Sequence, residues 1–386
     1  MLVLLTSCAT HHPLDERVPT SIYQQVSLSP DSDQIGNEPY RFWASSHPNF
    51  LYDSQTKTTP LKVDGDSLNI LALSGGGANG AYGVGVLNGL ADSNSLPEFT
   101  IITGISAGSL IAPFIYTQQA DGIEKVKEVI LNLTDKSVLG KKNYLNALLK
   151  DAFSSGDNIF NLVEATYTDD MIAEMAVAHK NGKRLFIGTT HFDSGKAIIW
   201  NIGEIASSDL PNKHKLIHQI LTASASIPGV FPPQFFNVYH EGNEYEELHV
   251  DGGLGFQMFF DPSNFNYEAV GLALGLETSP NVYIIRNGTF DTEYKQLADK
   301  GTALLSRSLE NLIIQQSRGD LYRIMYISKS QNIDIHYTYI QEDFTTKKQS
   351  KDMFDKDFMK ALYDYGYQKA KHGDLWISDY VNDSTF

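Results

Sequence analysis

The sequence has almost no cysteine and comparatively little positive charge. Cys8 is the one cysteine among 386 residues, so no disulfide can form within the chain. Lysine and arginine number 30 against 46 aspartates and glutamates, which gives a formal net charge of −16. This balance argues against nucleic acid as a partner and against electrostatic adhesion to anionic lipid headgroups. No run of 18 apolar residues occurs, so we expect no membrane-spanning helix.

Ligand patterns for metals are also missing. No cluster of His, Cys or carboxylate residues has the spacing of a zinc site, and no Asp-x-Asp-x-Asp loop suggests calcium. We therefore expect neither a metal nor a cofactor.

The N-terminus has the pattern of a lipidation signal. The apolar residues 2–5 precede Thr6-Ser7-Cys8, which is typical of the end of a bacterial lipoprotein signal, although the usual basic segment is missing. We predict that Cys8 is lipidated and that the protein is anchored in the bacterial cell envelope, on the outer membrane facing the periplasm or the surface. A chance cysteine after an apolar start is the alternative interpretation.

The most informative motif is a glycine-flanked serine. Apolar residues 99–103 predict a strand, and Gly104-Ile-Ser106-Ala-Gly108 leads from it into an apolar helix over residues 107–118. Gly-x-Ser-x-Gly between a strand and a helix is typical of a nucleophile elbow, which exposes the serine hydroxyl at the helix N-terminus. Unpaired N–H groups at that terminus favour developing negative charge.

A glycine-rich turn follows an earlier predicted strand, residues 67–73. Backbone N–H groups in the turn formed by Gly75, Gly76, Gly77 and Ala78 could converge on an oxyanion. Gly75, Gly77 and Gly80 also fit the dinucleotide pattern G-x-G-x-x-G, but that fold requires an acidic residue after the next strand. Here the next strand ends in the serine motif.

A third motif, Asp251-Gly252-Gly253, ends the predicted strand 245–250. An aspartate followed by two glycines can approach another turn closely, although an ordinary Asp-Gly turn fits the same residues. The ordered set of glycine-rich turn, serine elbow and Asp-Gly-Gly favours a catalytic arrangement over three unrelated turns.

Together these motifs resemble those of the patatin-like phospholipases, a family of lipid acyl hydrolases. The matching blocks are residues 75–80, 104–108 and 251–253, and residues 223–233 resemble a further Pro-Gly-x-Phe-Pro-Pro turn of that family. The family often has Arg or Lys where this chain has Asn79, which leaves a preference for charged phospholipids in doubt.

The resemblance implies that Ser106 is the nucleophile and Asp251 its base, without a histidine. It also implies that the backbone N–H groups of residues 75–78, together with that of Ala107, bind the oxyanion, and that the substrate is a membrane phospholipid or other acyl ester. An aspartate with an ordinary pKa is a poor base for an alcohol, so the site must be dry.

Two other interpretations fit the sequence. A Ser-Asp-His triad could use His336 or His372 after Asp251, because an α/β-hydrolase has that chain order. His249 shares a strand face with Asp251 and could tune the site, although a structural role is favoured. A non-catalytic lipid-binding envelope lipoprotein is the third possibility.

Alternating strands and helices after residue 66 predict an α/β fold, a three-layer α/β/α hydrolase with a mainly parallel sheet and a C-terminal α+β extension. The predicted divisions are a signal remnant (1–8), an N-terminal tether (9–65), a catalytic domain (66–290) and the extension (291–386). In the tether, the aromatic residues Tyr40, Phe42 and Trp43 are expected to pack on the core. The pattern leaves the oligomeric state undetermined.

Further elements follow from hydrophobic periodicity. Residues 121–149 are predicted to be helical, as a layer over the sheet or as a lid. Residues 281–285 are predicted to form the last strand of the central sheet. The other predicted strands are 184–190, 197–202, 322–327 and 333–340, and the other predicted helices are 81–91, 215–223, 292–316 and 353–371.

Overall fold

A computed structural model describes residues 16–30, 38–117, 122–139, 157–261 and 265–378. Cys8 and the second half of the predicted helix 121–149 lie outside these ranges. The strands are β1 (Arg41–Trp43), β2 (Asn69–Leu73), β3 (Ile101–Gly104), β4 (Arg184–His191), β5 (Lys196–Asn201), β6 (Gln234–His240), β7 (Asn243–Asp251), β8 (Asn281–Arg286) and β9 (Asp334–Tyr339). The helices are α1 (Gly80–Asp92), α2 (Ala107–Tyr116), α3 (Gly122–Leu131), α4 (Asp135–Leu139), α5 (Asp157–Thr166), α6 (Asp169–Lys180), α7 (Ile202–Ser207), α8 (Lys213–Ser224), α9 (Tyr267–Ala273), α10 (Gly301–Ser330) and α11 (Lys356–His372). Short 3-10 helices cover Asn49–Leu51, Gly77–Asn79 and Gly252–Leu254.

The strands form a single mixed sheet in the order β1-β5-β4-β3-β2-β8-β9, with β7 paired to β4 and β6 paired to β7 beside this path. Strands β4, β3, β2, β8 and β9 run parallel to one another, whereas β5 pairs antiparallel with β4 and β1 pairs antiparallel with β5. Each face of the sheet carries its own apolar core, because alternate residues of a strand point to opposite sides. Leu71 and Leu73 of β2 join one core, and Ile70 and Ala72 join the other. The predicted α/β fold with a mainly parallel sheet is confirmed.

The course of β4 explains how distant motifs meet. Strand β4 pairs with β3 as far as Ile187 opposite Gly104, where β3 ends. Beyond that point β7 takes over the same edge, with Asp251 opposite Thr189. The end of β7 therefore lies directly beyond the end of β3, beside the turn that contains Ser106.

Two expectations for the C-terminal part are wrong. Residues 322–327 belong to the long helix α10, whose buried residues Ile314, Ser317, Leu321 and Ile324 recur at a helical spacing of three and four. Local runs of Ile and Tyr favour a strand, but packing against the sheet follows the helical period. Strand β8 is also not the last central strand, since β9 pairs with it in parallel over six residues.

The other predicted elements agree to within a few residues, with two exceptions. Helix α10 covers Gly301–Ser330 instead of 292–316, and the described part of the predicted helix 121–149 forms the two helices α3 and α4. The predicted packing of the N-terminal aromatic patch is confirmed: Phe42 contacts Phe186 in a T-shaped arrangement at 5.8 Å. The division at residue 290 remains a prediction. Among the described helices, none combines the length and apolarity needed to cross a bilayer.

Candidate active site

Ser106 occupies a strained turn between β3 and α2. Its backbone has φ +51° and ψ −120°, a conformation that is energetically unfavourable for any residue other than glycine. Ser106 is also the N-cap of α2. The Ser106 N–H donates to the Ser224 hydroxyl at 3.0 Å. The side chain is 6% exposed. These features are those of the predicted nucleophile elbow.

The glycines on either side of Ser106 are required by close packing. A Cβ added to Gly108 would lie 2.3 Å from the Leu73 carbonyl oxygen, and one added to Gly104 would lie 2.7 Å from the Gly108 carbonyl oxygen. Any side chain at either position would push α2 away from the sheet. The glycines therefore let the helix start directly against the ends of β2 and β3.

Asp251 ends β7 in contact with Ser106. Its carboxylate accepts a hydrogen bond from the Gly253 N–H at 2.7 Å. Burial raises the pKa of Asp251 to about 6, although the Gly253 N–H and the nearby Ser106 hydroxyl oppose the rise. The structure thus brings the two predicted residues together, and the carboxylate is more basic than an ordinary aspartate.

Gly252 and Gly253 permit this contact. A Cβ on Gly252 would lie 2.4 Å from the Gly188 carbonyl oxygen of β4. A Cβ on Gly253 would lie 2.9 Å from Asp251 Oδ1. The two glycines of the Asp-Gly-Gly motif therefore allow the end of β7 to approach β4 closely, as the sequence indicated.

The glycine-rich turn lies beside Ser106, but one of its four predicted donors is already engaged. The Gly75 N–H donates to the Gln257 carbonyl oxygen at 3.0 Å, so Gly75 cannot donate to an oxyanion in this arrangement. The N–H groups of Gly76, Gly77 and Ala78 have no acceptor in the described part of the chain. Gly80 begins α1, and a Cβ there would lie 3.1 Å from the Cβ of Ala107.

Sequence reasoning assigned no role to three residues that hold the site together. The Ser224 hydroxyl accepts from Ser106 and donates to the Gly188 carbonyl oxygen at 2.8 Å. The backbone carbonyl of Gln257 accepts the Gly75 N–H, and its side-chain amide donates to the Gly253 carbonyl oxygen at 2.8 Å. Arg286 donates to the Gly75 carbonyl oxygen at 2.8 Å. Of these three residues, only Ser224 could have been found from the sequence, because it lies in the block 223–233 that resembles the patatin-like phospholipases.

The candidate histidines have other partners. His336 bonds with Ser378 at 3.0 Å, and His372 bonds with the carbonyl of Gln368. His249 is fully buried between Thr189 and Glu247, at 2.9 and 3.2 Å. Among the hydrogen bonds of the described residues, none joins these three histidines to Ser106 or Asp251, so the geometry does not favour a triad.

Ser106 and Gly77 line an apolar chamber, and nearly all of its other lining groups are hydrocarbon. These come from α2, α3, α4, α5, the end of α8 and the segment before α11: Ala107, Leu110, Val129, Ile130, Leu133, Val138, Ile159, Leu162, Val163, Thr166, Tyr167, Ala225, Ile227, Phe231, Met353 and Phe354. Its composition suits an acyl chain.

Helices α3 and α4, the described part of the predicted segment 121–149, supply one wall of this chamber. The Asp135 carboxylate at the start of α4 accepts the N–H groups of Met353 and Phe354, at 3.1 and 2.9 Å. This wall is therefore fastened to the chain segment that precedes α11.

One group of potential metal ligands occurs that the sequence spacing did not indicate. Side-chain ligand atoms of Glu38, His179 and Glu204 lie within 4.8 Å of one another. Each already has a partner, since Glu38 binds Arg184 and Asn201 while His179 bonds with Glu204 at 2.8 Å. A cation would have to displace Arg184 from Glu38, so this donor set fits a buried ion pair better than a metal.

Comparison with known families matches residues 71–262 to the model of the patatin-like phospholipases. This region belongs to the patatin-like phospholipase family. The match contains the glycine-rich turn, the serine elbow and the Asp-Gly-Gly motif, and the predicted resemblance is confirmed.

Individual relatives of the patatin-like region are distant. An uncharacterized protein of Acanthamoeba polyphaga mimivirus is 25% identical over 193 residues, which are 48% of this chain and 62% of that protein. The chain thus spans less than two thirds of this relative's length. VipD from Legionella pneumophila is 11% identical with a TM-score of 0.39, covering 81% of this chain and 69% of that one. The type III effector protein ExoU is 14% identical with a TM-score of 0.35, covering 80% and 53%.

Proposed function

We propose that this protein is a serine lipid acyl hydrolase of the phospholipase A or lysophospholipase type, with Ser106 as nucleophile and Asp251 as base. The observation that carries the proposal is the buried Asp251 carboxylate, whose pKa responds to the adjacent Ser106 hydroxyl, together with the apolar chamber that Ser106 lines. Membership of residues 71–262 in the patatin-like phospholipases supports the same chemistry.

The proposed reaction has two steps. Asp251 accepts the hydroxyl proton as Ser106 Oγ attacks the ester carbonyl carbon, and the leaving alcohol then takes that proton as its C–O bond breaks. Water, deprotonated by Asp251, attacks the acyl-serine, and the proton returns to Ser106 Oγ as the fatty acid leaves. The N–H groups of Gly76, Gly77, Ala78 and Ala107 are the proposed donors to the oxyanion in both steps.

The proposed substrate is an acyl ester of a membrane lipid, bound with its acyl chain in the chamber. Burial of the chain removes apolar surface from water, at about 25 cal/mol for each Å². Asn79 adds no cation at the glycine-rich turn, so we expect neutral esters and phospholipids to be cleaved alike.

We further propose that lipid on Cys8 anchors the enzyme to the cell envelope close to this substrate. The support is the residue pattern around Cys8, which lies outside the described residues. Mass spectrometry of the mature N-terminus tests it: a diacylglycerol-modified Cys8 is expected, and an unmodified mature cysteine would contradict it.

A fluorophosphonate probe that labels activated serines tests the function. Wild-type protein should be labelled at Ser106 and should release fatty acid from mixed phospholipid micelles, whereas Ser106→Ala should do neither while remaining folded. The exposed Ser308→Ala is the control and should behave as wild type. If folded wild-type protein resists the probe and releases no fatty acid, a non-catalytic lipid-binding role is correct instead.

A further inference from the structure

The peptide unit between Gly75 and Gly76 is held by an unusual set of bonds. Its carbonyl oxygen, on Gly75, accepts from the Ser74 hydroxyl at 2.7 Å and from Arg286 Nη1 at 2.8 Å. The Gly75 N–H is bound by the Gln257 carbonyl at 3.0 Å. Both polar atoms of Gly75 are therefore fixed, while the Gly76 N–H at the other end of the peptide unit has no acceptor in the described part of the chain.

Arg286 is a buried cation with little compensation. It ends β8, is 3% exposed, and its Nε has no hydrogen-bond partner. Burial lowers the pKa of Arg286 to about 10 and the charge of Asp320 opposes this, so the guanidinium stays charged at neutral pH. Within the described ranges, no ion pair within 4 Å joins Arg286 to a carboxylate. An unpaired buried charge is expensive, which indicates a role beyond packing.

The geometry of a peptide bond connects this cation to the active site. The described peptide bonds are all trans, so the C=O and N–H of one unit point in opposite directions. A charged donor on the Gly75 carbonyl therefore orients the Gly76 N–H away from Arg286, and it withdraws electron density from the same amide. Hydrogen bonds linked in this way strengthen one another. A Cβ on Gly75 would lie 3.3 Å from the Cβ of Ser106, so this peptide is adjacent to the nucleophile.

We propose that Arg286 is a positioning residue for the oxyanion hole: its guanidinium orients and polarises the Gly75–Gly76 peptide, which makes the Gly76 N–H a stronger donor to the transition state. This inference rests on the proposed hydrolase function. Arg286 does not touch the substrate, and the Ser74 hydroxyl assists it as a neutral donor on the same carbonyl.

Kinetics of four variants test the proposal, with micellar phospholipid as substrate. Arg286→Met should lower kcat by about tenfold to a hundredfold with KM changed less than about twofold, below the cost of deleting a direct oxyanion donor. Arg286→Lys, which keeps the charge, should lie between this variant and wild type, and Ser74→Ala should lose about threefold. The control is Arg184→Lys, which changes a buried arginine that is paired with Glu38. The kcat of the folded control variant should equal that of wild type.

Inhibitor binding separates this role from a structural one. A trifluoromethyl ketone with a fatty acyl tail forms an oxyanion on Ser106, so its affinity should fall by the same factor as kcat, while the affinity for free fatty acid should not change. Folded Arg286 variants with wild-type kcat, or with losses only in KM, would overturn the inference. If Arg286→Met does not fold, wild-type kcat in both Arg286→Lys and Ser74→Ala would overturn it. A wild-type enzyme without ester hydrolysis would overturn the proposed function itself, and this inference with it.

Discussion

Glu247 and Asp251 are two buried carboxylates on the same strand, and their pKa values are shifted in opposite directions. Burial alone would raise the pKa of Glu247, but the Arg41 guanidinium and the His249 side chain hold it well below its ordinary value. Asp251 has only an amide N–H and a hydroxyl as partners, and burial raises its pKa to about 6. The two pKa values shift in opposite directions because Glu247 is paired with the Arg41 cation, whereas Asp251 has no cation as a partner among the described residues.

This comparison indicates which buried acid can do chemistry. A carboxylate paired with arginine is a weak base, because accepting a proton would break the ion pair. A carboxylate kept from water without a cation is readily protonated, which a general base requires. Glu247, in the middle of β7, thus fits a role in stability, and Asp251, at its end, fits a role in catalysis at a cost to stability.

The largest expected effect is the loss of activity at Asp251. Asp251→Asn removes the proton acceptor and should lower kcat by about 10²–10⁴-fold, the usual contribution of a general base. Hydrolysis of micellar phospholipid measures it, with the exposed Asp169→Asn as control. Asp251→Ala should be tested in parallel, because an asparagine before Gly252 can deamidate to aspartate. A folded Asp251 variant within tenfold of wild type would contradict the assigned role.

Glu247 should respond in the opposite way. Glu247→Gln leaves Arg41, which is 11% exposed, without its counter-charge, and should lower the free energy of unfolding by about 3–5 kcal/mol. Urea denaturation measures this loss, and kcat per folded molecule should change little. The double variant Arg41→Met/Glu247→Leu should recover part of the stability because no charge remains unpaired. A loss below about 1 kcal/mol would remove the contrast between the two acids.

The two acids should also give opposite pH dependences of stability. The folded pKa of Asp251 exceeds its unfolded value of 3.8, so its contribution to the free energy of unfolding falls as pH rises from about 4 to above 6. The loss is about 1.4 kcal/mol for each pH unit between the unfolded and the folded pKa. Glu247 has a lowered folded pKa, so its contribution is present above 4.5 and is lost in acid. Relative to wild type, Asp251→Asn should therefore gain stability with rising pH, and Glu247→Gln should lose it. Equal slopes would contradict the assignment.

Activity should follow the ionisation of Asp251. We expect kcat/KM to rise with pH and to level off above a midpoint near 6, because only the carboxylate accepts the serine proton. Asp320 also has a pKa raised to about 6 by burial, so it is the control group. Asp320→Asn should keep the midpoint of the pH profile. A midpoint that moves with Asp320 would assign the titration to that residue.

Local patterns predicted the parts of the site that depend on local geometry. The elbow at Ser106 and the close approach at Gly252 leave a signature because only glycine fits those backbones. The sequence also identified strands β2, β3, β4, β5, β7 and β8 in their order along the chain, but not β1 or β6. It could not reveal the pairing of β9 with β8, since a parallel contact between remote segments has no local signature.

The supporting residues were hidden for a related reason. Gln257 and Arg286 act on Gly75 from other strands and loops, and polar residues of these types occur throughout the chain. The opposite environments of Glu247 and Asp251 were equally hidden, because only the fold determines that Arg41 reaches one and not the other.

The smallest expected effect concerns the backbone beside Asp251. The Ser106 conformation, φ +51° and ψ −120°, favours glycine, so Ser106→Gly should be more stable than Ser106→Ala by about 1 kcal/mol, after the entropy cost of glycine is subtracted. Ser109 is the matched control within α2, where Ser109→Gly should instead be less stable than Ser109→Ala by about 1 kcal/mol. Thermal unfolding of the four proteins measures both differences. If the Gly-minus-Ala stability difference had the same sign at both positions, the elbow would store no strain. The catalytic site would then lower the stability of the protein only through the buried charge of Asp251.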